Sequence, residues 1–208
     1  MNATLRTIIA VLFFGSLLGC AKEVTSEEQA RRAYLGLDSA VGKAIQLGFD
    51  GYNAASSANI PDQTTNGTAS GTLTIAGRVD AGVSTNKVMN LSVAMTNYSD
   101  GQLDLAGEKV AVTYATSTDV TVQPLPALDL TLHNIPSATS DPNGSFDGTL
   151  VGPFQMTGDL TGDVTLNLAL TGSIENDGSG NIRRVAGSTQ VTGTATAGDG
   201  VYNVDITL

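Results

Sequence analysis

The sequence predicts a mainly β protein: a curved antiparallel meander sheet or open barrel of about 9–12 strands, with one N-terminal amphipathic helix packed on it. Three observations carry that expectation. Short runs alternating apolar with polar residues recur from Gly71 to the end of the chain, as in Met89, Leu91, Val93 and Met95. A period of two lines one face of a strand with apolar side chains and leaves the other in water. Asp-Gly pairs stand between these runs, where hairpin turns belong. Only residues 26–47 repeat at three- and four-residue spacing, so only there does the chain offer a helix an apolar face.

The helix has marked ends. Ser26 with Gln29, or Thr25 with Glu28, makes a capping box, and Glu27 and Glu28 suit the positive helix start. Ala30, Ala33, Tyr34, Leu37, Val41, Ala44, Ile45 and Gly48 form one face; Arg32, Ser39, Lys43 and Gln46 form the other. Gly48 is placed to close the helix as its C′ residue. Gly36 and Gly42 each cost about 1 kcal/mol relative to alanine, which points to close approach by another backbone. A face of Ala, Val and Ile suits packing on a sheet better than lying in a headgroup layer.

Residues 49–69, polar around Pro61, read as a linker from helix to sheet. Strands then follow at Leu73 and Ile75; Met89 to Met95; Val110, Val112 and Tyr114; and Leu128, Leu130 and Leu132. The series continues with Val164, Leu166, Leu168 and Leu170, then with Tyr202, Val204, Ile206 and Leu208. Asp100-Gly101, Asp177-Gly178 and Asp199-Gly200 supply turns. Asn66, Gly67, Gly71, Thr72 and Leu73 recur in order as Asn143, Gly144, Gly148, Thr149 and Leu150, and Leu91, Ala94 and Thr96 as Leu166, Ala169 and Thr171. These matches suggest duplicated β units over 66–116 and 143–197, although a Thr- and Gly-rich chain also generates such matches by composition.

Ahead of the helix, the apolar run Ile8 to Leu18 follows Arg6 and is too short to span a bilayer, which takes about 20 residues in a helix. Cys20, the single cysteine, comes directly after Gly19. The segment Leu17, Leu18, Gly19, Cys20 resembles the lipobox of bacterial lipoprotein signal peptides. The resemblance covers residues 1–22 and implies cleavage before Cys20 with lipid added to its sulfur. The expected organisation is therefore a signal peptide at 1–19, a lipidated tether at 20–25 and a single domain at 26–208. Several acyl chains on one cysteine anchor stably, where one chain binds only marginally. Ala21 and Lys22 lack the aspartate that retains many such proteins in the inner membrane, so the expected address is the outer membrane, on its periplasmic or cell-surface face. With Cys20 modified, no thiol remains for a disulfide, redox or metal–thiolate role.

Removing the first 19 of 208 residues leaves 189, enough for one domain with a sizeable core. Twenty acidic residues stand against ten basic ones. From Asp50 onward the balance is sixteen against five, which disfavours nucleic acids and anionic headgroups as partners. Aromatics are 5% and Trp is absent, too few for the girdles that flank the apolar band of a transmembrane barrel.

No residue set points to catalysis, and no cofactor or metal is expected. His133, the only histidine, sits on a polar strand face with no nucleophile elbow in the chain. Asp159 with Asp163, or Asp141 with Asp147, have spacing alone to suggest paired carboxylates. Asp141, Asn143, Ser145 and Asp147 alternate like a calcium loop, but Phe146 and Gly152 occupy the positions where an EF-hand needs Gly and Glu; Asp177, Ser179 and Asn181 fail similarly. The expectation is a non-enzymatic envelope lipoprotein with a structural or protein-interaction role. The alternative is a carrier or sensor of a lipid or other apolar ligand held between helix and sheet, with Met89, Met95, Met156 and Leu168 as weak apolar-face candidates.

Overall fold

A computed structural model describes residues 22–54, 57–80, 84–137 and 143–208. Cys20, the signal segment and Asp141 lie outside the described residues. Two helical segments come first, α1 (Glu27–Leu35) and α2 (Asp38–Ala54). Eleven strands follow: β1 (Asn59–Asn66), β2 (Ser70–Val79), β3 (Lys87–Ser99), β4 (Gln102–Leu105), β5 (Glu108–Ala115) and β6 (Ala127–His133). The rest are β7 (Asn143–Gly158), β8 (Gly162–Asn176), β9 (Ile182–Arg184), β10 (Gln190–Ala197) and β11 (Gly200–Thr207).

All named strands form one antiparallel sheet with the path β1-β2-β3-β5-β7-β8-β10-β11. The meander has one interruption. Between β3 and β7 two short strands lie end to end: β6 pairs with residues 87–92 of β3 and 145–151 of β7, and β5 pairs with Tyr98 and with 155–158 of β7. Pro153, which has no amide to give a ladder, falls in the interval between these two partners. The helical segments bridge the ends of the sheet, α1 against β11 and α2 against β1 and β2. One hydrophobic cluster joins helix residues such as Tyr34, Leu37 and Ile45 to sheet residues such as Leu73, Phe146 and Leu166. Each such side chain contributes about 1.5–3 kcal/mol by leaving water.

The helix starts as its cap residues require. Ser26 Oγ accepts from the Gln29 amide, and Gln29 Oε1 accepts from the Thr25 amide at 2.7 Å. The expected continuous helix is broken at Gly36 by a side chain from the sheet. Tyr114 Oη donates to the Ala33 carbonyl at 2.8 Å, a carbonyl that an unbroken helix would offer to the Leu37 amide. That amide bonds the Tyr34 carbonyl instead, at 2.7 Å. A Cβ on Gly36 would stand 2.3 Å from the Tyr114 oxygen, so only glycine admits the hydroxyl.

The helix also runs past the expected end at 47. Gly48 is no cap: it lies inside α2 with its Cα against Met89 and Leu91, and a Cβ there would be 2.6 Å from the Met89 sulfur. The 49–69 linker is likewise corrected, because 49–54 continue the helix and 59–66 form β1. β1 has a single buried residue, Ile60, and pairs on one side only, with a bulge around Pro61. An edge strand of this kind needs neither alternation nor every amide. The last hairpin turns at Gly198-Asp199, since Ala197 pairs with Gly200, one residue earlier than the Asp199-Gly200 expectation.

A buried ion pair pins helix to sheet. Arg184 on β9 donates through Nη1 and Nη2 to the two Asp38 carboxylate oxygens at 2.6 and 2.5 Å, and Tyr34 Oη donates to Asp38 Oδ1 at 3.0 Å. Burial, then the Asp38 charge, holds the Tyr34 phenol well above its ordinary value.

Candidate functional site

The strand directions give the domain two ends with different chemistry. One end carries the β7–β8 and β10–β11 turns; the other carries the connections after β2, β6 and β8. The chain enters at the first end. The Lys22 amide donates to the Asp159 carbonyl at 3.3 Å, the Lys22 carbonyl accepts from the Thr161 amide at 3.0 Å, and Lys22 bridges Leu160 in parallel. Val24 is buried in the common core. Within the expected 20–25 tether, residues 22–25 are thus tied to the folded body. A cleft of about 590 Å³ lies here, rimmed by Glu23, Asp163 and Asp199.

The nearby Asp159 is spent on structure. Its Oδ2 accepts from the Ala111 amide at 2.9 Å and pairs with Arg32 at 3.4 Å, so it is not a free partner for Asp163.

The second end holds a more apolar cleft of about 370 Å³, lined by Phe49, Tyr52, Val79, Lys87, Ile135 and Ile182. It forms because α2 continues to Ala54 and carries Phe49 and Tyr52 to the mouth of the curved sheet. Lys87 is buried, with its ammonium 5.6 Å from the centre of the Tyr52 ring. That geometry stabilises the cation by its position over the ring face. Asp50, on the same helix, has its carboxyl raised by burial first and then by the charge of Asp177.

The sequence-derived ligand candidates go elsewhere. Met89, Met95, Met156 and Leu168 are all buried in the common core, and none lines either cleft. The space expected between helix and sheet is occupied there by side chains: Met89, for example, packs on Gly48. Sequence reasoning misses the residues that do make the apolar cleft, because the polar stretch 49–69 reads as a linker. Phe49 and Tyr52 continue the Ile45 face at steps of four and three, which is the signal that finds them.

His133 Nε2 lies 2.8 Å from Asp147 Oδ1. Both side chains are exposed on the outer sheet face, where such a pair contributes at most about 1 kcal/mol. Asp177 is a loop organiser: its Oδ1 accepts from the Ser179 and Asn181 amides and its Oδ2 from Asn181 Nδ2 at 2.8 Å. Among the described residues, no group of three or more acidic, His or Cys side chains is placed to hold a metal ion. No described helix is long and apolar enough to cross a membrane.

The class these features define is an open antiparallel β-sheet of eleven strands, filled by an N-terminal helical segment and carrying a cleft at each end. Comparison with protein-family models, with curated proteins and with solved structures returned no match.

Proposed function

We propose that the protein is a lipid-anchored cell-envelope lipoprotein of the outer membrane whose β-domain has a non-enzymatic structural or protein-interaction role. The observation that carries this reading is the placement of the single cysteine, Cys20, directly after the apolar run and Leu17-Leu18-Gly19. A chain so modified is a membrane passenger by virtue of its acyl chains, and no transmembrane segment is needed. The polar outer face of the sheet, with pairs such as Asn90 Nδ2 to Asp129 Oδ1 at 2.8 Å, fits a water-facing domain whose contacts with partners are made through side chains.

A second reading, carriage or sensing of an apolar ligand, is favoured by the cleft of about 370 Å³ at Phe49 and Tyr52. Native mass spectrometry of the detergent-extracted protein separates the two: a co-purified lipid mass supports carriage, and a bare polypeptide-plus-anchor mass leaves the interaction role. The anchor is tested by growing the producing bacterium on labelled palmitate. Label in the wild-type band, absent from Cys20→Ser, is expected; an unlabelled wild type, or a Cys20→Ser variant that fractionates unchanged with membranes, would overturn the proposal.

A further inference from the structure

We infer that the domain is held in one orientation on the bilayer, with the β7–β8 and β10–β11 turns against the headgroups and the apolar cleft of Phe49 and Tyr52 facing away. This rests on the anchored reading and adds to it which surface meets the lipid. The argument is the length of chain between the anchor and the fold. Only Ala21 separates Cys20 from Lys22. Two Cα steps span at most about 7 Å.

Lys22 has no slack of its own. Its amide and carbonyl are both engaged by the β7–β8 turn, Val24 is buried, and Ser26 already caps α1. Acyl chains on Cys20 therefore bring Asp159, Thr161 and Gly162 to the membrane surface. The Gly198-Asp199 turn comes with them, because residues 23–25 and 197–200 line the same cleft.

The opposite cleft is remote. β8 runs from Gly162 beside the tether to Asn176 at the apolar cleft, a strand of 15 residues. At about 3.3 Å per residue that is on the order of 45 Å of strand, before twist and tilt shorten its height. The apolar mouth so faces the aqueous space, open to a partner or ligand that is not in the same bilayer. Glu23, Asp163 and Asp199 rim the membrane-facing cleft, so its charge gives no attraction to anionic lipid. The short tether imposes the contact.

The test uses the full-length lipidated protein in vesicles of phosphatidylethanolamine and phosphatidylglycerol. Because the sulfur of Cys20 is a thioether in that form, Asp199→Cys or Ser179→Cys supplies the one free thiol for a fluorophore. Lipid carrying a headgroup nitroxide is expected to quench the label at position 199 several-fold more than the label at 179, which should match a protein without lipid contact. A flexible Gly-Ser insert of about six residues between Ala21 and Lys22 adds reach on the order of 13 Å and should relieve quenching at 199 while the protein still floats with the vesicles. Flotation with equal quenching at both positions removes the orientation and leaves the anchor; quenching at 199 that ignores the insert removes the short tether as the cause of the contact and overturns the argument made from it. Failure of the parent protein to float removes the anchor and the orientation together.

Discussion

Substituting Asp38 by Asn should unpin the helix from the sheet at a point where water gives little compensation. The Arg184 and Asp38 side chains are only 13% and 7% exposed, and three hydrogen bonds from Arg184 converge on Asp38. Removing one partner of a buried pair costs about 3–5 kcal/mol, since the other charge stays desolvated; the partial exposure of Arg184 places this case near about 3 kcal/mol. With a urea slope of about 2 kcal/mol per molar, the unfolding midpoint should fall by about 1.5 M. Far-UV circular dichroism follows the transition, because the chain has no Trp to report by fluorescence. The double variant Asp38→Leu with Arg184→Met removes both charges and strands only the Tyr34 hydroxyl, so it should lose about 1 kcal/mol, less than Asp38→Asn alone. A midpoint shift under about 0.3 M for Asp38→Asn, or a double variant as unstable as both single losses added, would refute the reasoning.

Gly36→Ala should cost about 1–3 kcal/mol through collision with the Tyr114 hydroxyl, and Tyr114→Phe, which removes that atom, should recover part of the loss in thermal melts; equal losses in both backgrounds would contradict the wedge. Asp100 is the buried carboxyl that acid should reach with an effect on stability. Its side chain is 3% exposed, and although burial raises its pKa, donation by Lys43, Thr68 and Tyr98 wins and draws it down to about 2. A depressed carboxyl adds stability above its unfolded value of 3.8 that is lost as pH falls toward 2; screening at a domain edge leaves about 1–2 kcal/mol of the nominal amount. Urea midpoints measured from pH 5 to 2.5 should drop less steeply in Lys43→Met than in the parent, and parallel slopes would remove Lys43 from the account. The carriage reading expects Tyr52→Ala to lower any co-purified lipid in native spectra several-fold, with the chain still folded by circular dichroism; undiminished lipid would place the ligand elsewhere.

The parts of the fold legible in the sequence are those whose burial has a local period. β3, β6 and β8 alternate cleanly, as Leu166, Leu168 and Leu170 show, and each is found where the alternation lies. β7 is the longest of the described strands, yet its local sequence does not read as a strand, because Gly144, Gly148 and Gly152 interleave with Phe146, Leu150 and Phe154 on its inward face. At Gly148 a Cβ would lie 2.1 Å from the Asp129 carbonyl oxygen, so the neighbouring strand, not the local pattern, selects glycine. β1 hides for a different reason: one buried side chain, Ile60, is enough for an edge. The Asp100-Gly101 pair was legible as a turn, but not as the receiver of a hydrogen bond from Lys43, 57 positions away. The Asp38 and Arg184 pair spans 146 positions and leaves no trace in either neighbourhood. The apolar cleft is intermediate: Phe49 and Tyr52 follow the helix period, whereas Ile135 and Ile182 join them only through the topology.

The most direct test of the central claim is the mass of the N-terminal peptide from protein extracted out of bacterial membranes in detergent. A peptide that begins at Cys20 and carries a diacylglyceryl group on sulfur, with the acyl mass released by alkaline hydrolysis, is the predicted result. A peptide that begins at another residue, or a Cys20 thiol that reacts freely with maleimide, would contradict it.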